Sequence, residues 1–110
     1  MEPDFHRLVN EVVYGEHPLA ARTLLFAMDE AAVEPLIAEF YAGVDDDTGV
    51  AILDILGEIG GPDALATLWN VYHFEDNQAF IESAVRGLLR NRLNLDQAET
   101  KELLGYNRHN

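Results

Sequence analysis

The apolar residues of this chain recur in two blocks at nearly the same interval, and that repetition constrains the fold more than any other feature. Val33, Leu36, Ile37 and Phe40 reappear 32 positions later as Leu65, Leu68, Trp69 and Tyr72. Ala51, Ile52, Ile55, Leu56 and Ile59 reappear 29 positions later as Phe80, Ile81, Ala84, Val85 and Leu88. Within each block the spacing is three and four residues, which gathers the set on one face of a helix. A pair of such helices cannot bury its apolar stripes alone and must stack them on the next pair.

The rest of the chain is punctuated to match. Phe5, Leu8, Val9 and Val12 form a first stripe, and Pro18 suits the first turn of a second helix, with Ala20, Ala21, Leu24, Leu25 and Met28 along it. Gly43 is placed to end the third helix, and Asp45, Asp46 and Asp47 to cap the fourth, over about 47–59. That fourth helix is apolar nearly all round, broken only by Asp54 and Glu58, so it is expected to be central, with Gly57 allowing a neighbour to approach closely. Gly60-Gly61-Pro62 stops it and starts the fifth. Asp76 or Asn77 opens the sixth, whose outer edge Glu82, Arg86, Arg90 predicts pairing along the helix. Asp96 with Glu99 forms a capping box for a last helix to about Tyr106. Pro35 lies deep for a first-turn proline, so the third helix is expected to start late or to kink. The core is expected to hold Leu56, Ile59, Leu65, Leu68, Trp69, Ile81 and Val85. About seven short helices leave no room for a linker, so residues 1–110 read as one all-α domain.

Leu56-Gly57-Glu58-Ile59-Gly60-Gly61-Pro62-Asp63-Ala64-Leu65 resembles the turn between the paired helices of a HEAT-like repeat, of the type found in phycobilin lyases and bacterial adaptor proteins. Ala32-Val33-Glu34-Pro35-Leu36-Ile37 is similar to the start of that family's second helix, and the resemblance covers about 17–92. It implies a short right-handed α-solenoid of stacked helix hairpins that serves as a binding scaffold. The arginine usual in the first helix of such repeats has counterparts only in Arg22 and Arg86.

Charge narrows the partners. Net charge is −13, and all of it falls on residues 1–75, where fifteen acids face Arg7 and Arg22. No Lys or Arg stands between Arg22 and Arg86, while thirteen acids do. Such a field repels phosphate backbones and anionic membrane surfaces and attracts basic proteins. It excludes the basic groove needed by the alkylpurine glycosylases, a DNA-acting branch of the helical-repeat proteins. Charges interrupt every apolar run, so no membrane span is expected, and Met1 to Asn10 lacks a signal core; a cytoplasmic location is the expectation.

Chemistry finds little purchase. There is no cysteine, and His6, His17, His73 and His109 are scattered without metal-ligand spacing. Asp45-Asp46-Asp47-Thr48-Gly49 misses the alternation of a calcium loop, and Asp54 with Glu58 reads as the solvent edge of its helix. Trp69 and Tyr72 read as core, not as a pocket lining. The expectation is therefore a non-catalytic protein that needs no cofactor or metal. As the second helices of successive units, helices three and five are expected to line a concave surface that binds a basic partner. Its residues would be Glu30, Glu34, Ala38, Glu39 and Tyr41 on one helix, and Thr67, Asn70 and His73 on the other. Two other readings compete: an acidic immunity or inhibitor protein against a basic toxin or nuclease, and a chromophore lyase-like protein.

Overall fold

The computed structural model describes residues 4–109, with side chains described through Tyr106. Among these residues the chain forms seven α-helices and no strand: α1 Phe5–Tyr14, α2 Pro18–Met28, α3 Glu30–Tyr41, α4 Asp46–Ile59, α5 Pro62–Phe74, α6 Gln78–Arg90 and α7 Gln97–His109. A single 3-10 turn, Arg92–Asn94, precedes α7. The side chain of His109 lies outside the described residues.

Helix starts follow the capping chemistry. Asp45 accepts from the Thr48 amide, and Asn77, rather than Asp76, accepts from the Phe80 amide. Asp96 and Glu99 bond each other's backbone N–H at 2.8 and 2.9 Å, the reciprocal arrangement the capping box requires. Pro18 and Pro62 occupy first-turn positions, where a missing N–H leaves no bond unmade. The Gly60-Gly61 turn takes positive φ at both residues, +73° and +88°, a conformation that β-carbons disfavour.

Helix α4 is the hub, packing on α1, α3, α5 and α6. Its Ile52, Leu53, Ile55 and Leu56 are fully buried, joined by Leu25, Leu36, Leu68, Val85 and Leu88 from the surrounding helices and Leu103 from α7. The tightest seam is with α6. A β-carbon on Gly57 would stand 2.7 Å from the Gly87 Cα, so these two backbones touch with no side chain between them. Asn91 locks the end of the seam, its amide donating to the carbonyls of both Gly57 and Gly87 at 2.7 Å. Helix α5 packs on α4, α6 and α3, and α7 on α6. The result is elongated, 43 × 24 × 22 Å.

Three expectations need correction. In α2, Ala21 and Leu25 are buried, but Ala20 and Leu24 are exposed, α2 packing chiefly on α1 and α3. Trp69, Ile59, Leu65 and Ile81 are half-buried rather than interior: they pack against the core from its edge, while Leu56, Leu68 and Val85 lie inside it. The arginines of α6 reach across to α4, where Arg86 meets Asp54 at 3.3 Å and Arg90 meets Glu58 at 2.9 Å, because the glycine seam brings the carboxylates within reach. Pro35 lies inside α3, which starts at Glu30 and so does not start late. The carbonyl that Pro35 cannot serve belongs to Ala31, an exposed residue, so water can take its place.

Candidate functional site: a two-row helical face

Helices α3 and α5 lie side by side and run in the same direction. Their starts share one cavity of about 300 Å³, lined by Glu30 and Val33 of α3, by Pro62, Asp63 and Ala64 of α5, and by Gly60 and Gly61 between α4 and α5. At the other end, the charge of Glu75, just past α5, acts on Tyr41, the last residue of α3. Burial pushes the Tyr41 hydroxyl above its ordinary value, and Glu75 pushes it further in the same direction.

On this shared face Glu30, Glu34, Ala38 and Tyr41 are exposed along α3, and Pro62, Ala66, Asn70 and His73 are exposed along α5. Each row follows the four-and-three spacing of one helix face, and the two rows correspond at the repeat offset of 32. The rows therefore form a shallow surface with small side chains, Ala38, Ala66 and Asn70, in the middle. One end is acidic, with Glu30 and Asp63 at the cavity mouth and Glu34 a turn further on. The other end is aromatic: Tyr41 is 56% exposed, Phe74 is 81% exposed, and the His73 ring stacks on Trp69 with centroids 5.5 Å apart.

Two residues expected on this surface belong elsewhere. Thr67 is only 6% exposed: it falls on the inward side of α5, with its hydroxyl donating to the Asp63 carbonyl at 3.0 Å. Glu39 projects from the flank of α3 turned to α1, where its carboxylate meets the His6 ring at 3.1 Å. The helical period explains both, since Thr67 is one residue from Ala66 and Glu39 one from Ala38, about 100° around the axis. Asp63 and Phe74, which were not among the residues expected to bind, are exposed on α5 as well. Asp63 was legible as the α5 position one past the counterpart of Glu30, whereas the exposure of Phe74 depends on α5 ending there.

The acids of this molecule are not equally available. On the α4–α6 side, Asp54 is held by Arg86 and by the Ser83 hydroxyl at 2.7 Å, and Glu58 is shared by Arg22 and Arg90. None of the ion pairs among the described residues uses Glu30, Glu34, Asp63 or Glu75. The α3–α5 side therefore keeps its negative charge, while Asp54 and Glu58, where α4 meets α6, are neutralised. Among the described residues no three His, Cys, Asp or Glu side chains gather closely enough to hold a metal ion. No helix of the described residues is long and apolar enough to cross a membrane. Comparisons with protein-family models, with curated proteins and with solved structures found no match.

Proposed function

We propose that the chain is a non-catalytic interaction scaffold, a short HEAT-like solenoid, and that the α3–α5 face receives a basic protein segment. The observation that carries this reading is the unequal neutralisation of charge. Asp54 and Glu58 on α4 have arginine partners, whereas the exposed acids Glu30, Glu34 and Asp63 of α3 and α5 have none among the described ion pairs. An acidic surface left uncompensated attracts cations over a range set by ionic strength. The layout also suggests polarity. Glu30, Glu34 and Asp63 would take Lys or Arg at one end, and the exposed rings of Tyr41, His73 and Phe74 would take an apolar or guanidinium group at the other. The small residues between them leave room for the segment's own side chains.

The reading is tested by titrating isotope-labelled protein with a short oligolysine peptide and following backbone amide shifts. The expected result is that the largest shifts map to Glu30, Glu34, Ala38, Tyr41, Asn70 and His73. Shifts concentrated instead on Asp45, Asp46 and Asp47 would move the site to the start of α4 and remove the proposal.

A further inference from the structure

Alone among the seven helices, α2 carries no acidic side chain; its one charge is Arg22. That guanidinium is turned to α4, where it meets Glu58 at 3.1 Å, and it also lies over the Phe26 ring. What α2 shows to the outside is apolar: Leu19 is 76% and Leu24 53% exposed, with Ala20, Thr23 and Ala27 exposed on the same side. These five positions fall within an arc of about 140° at 3.6 residues per turn. The one polar side chain among them brings no unpaired donor, because the Thr23 hydroxyl already donates to the Leu19 carbonyl at 2.8 Å. The face can therefore be dehydrated without an unmet hydrogen bond. A stack of helices ordinarily ends in a polar outer surface, and α2 does not provide one.

We propose that a second copy of this chain covers the face, α2 packing on α2 across a two-fold axis near Thr23. Charge selects this occupant. In a two-fold contact each residue near the axis lies close to its own image, so any acid there is opposed by an acid. With a net charge of −13, the chain has only one helix, α2, that brings no acid of its own to such an axis; Glu16 and Asp29 stand beyond its two ends, away from Thr23. A basic partner would gain nothing from a surface that offers it no carboxylate.

The test is sedimentation velocity over a range of protein concentrations at low and high sodium chloride. A concentration-dependent dimer is expected, favoured by salt because screening weakens the repulsion between two acidic copies. Leu24→Glu should raise the dissociation constant on the order of tenfold or more with unchanged helical circular dichroism. Leu93→Glu, at a leucine 97% exposed beyond α6, should leave the dimer intact. Because the chain has no cysteine, Thr23→Cys gives a direct probe of the axis and should oxidise to a disulfide-linked dimer, which Leu93→Cys should not. A protein that stays monomeric at every concentration and salt overturns the proposal. So does a dimer that survives Leu24→Glu or is abolished by Leu93→Glu.

Discussion

At the scale of single residues, the fold depends most on where side chains are missing. Gly57 and Gly87 let α4 and α6 touch backbone to backbone. Gly57→Ala must push the helices apart and should destabilise by about 1–3 kcal/mol, despite alanine's better helix propensity. Gly105 is the internal control: it is also helical, but a β-carbon there meets nothing within 4 Å. Gly105→Ala should therefore stabilise by up to about 1 kcal/mol. Denaturant unfolding of the two variants reads both effects; equal signs would show that the seam is not as tight as described. Leu56→Ala, at a fully buried site, should cost about 2–5 kcal/mol in the same assay. The role of Gly57 was legible because a glycine in so apolar a helix has no surface reason to be there. The half-burial of Trp69 was not, because periodicity assigns a residue to the inward face without saying whether another helix covers it.

At the scale of elements, periodicity and capping chemistry predict all seven helices, with most boundaries within a residue or two. What they do not carry is pairing between elements. The arginines of α6 read as partners for Glu82 of their own helix, yet they serve Asp54 and Glu58 of α4. The outward turn of Leu24 was likewise hidden, since a stripe of apolar residues looks the same whether one helix or two pack against it. The start of α4 gives a prediction about pH. Asp45 accepts bonds from Thr48 and Tyr14, which lower its carboxyl below the ordinary value of 3.8. A lowered value in the folded state means that the stabilisation is fully present above the unfolded value. It is lost as pH falls through the folded one. Acid unfolding monitored by circular dichroism should therefore be less steep in Asp45→Asn below about pH 4 than in the parent. A parallel pair of curves would show that this cap contributes nothing to acid sensitivity.

At the scale of the whole molecule, charge is the governing property. The acids on residues 1–75 were legible by counting, but which of them remain available was not, because ion pairs such as Arg90 with Glu58 join residues far apart in the chain. A net charge of −13 on a domain of this size repels itself, so moderate sodium chloride should raise the melting temperature; a fall would mean that the ion pairs on α4 outweigh the repulsion. The central claim is that the charge left on α3 and α5, not charge in general, attracts a partner. Fluorescence anisotropy of a labelled oligolysine peptide tests this with two variants of equal charge change, Glu30→Lys with Glu34→Lys, and Asp46→Lys with Asp47→Lys. The account predicts that the first pair weakens binding by about tenfold or more relative to the second, a difference of ~1.4 kcal/mol. Equal losses in the two pairs, or a larger loss from the second, would contradict it.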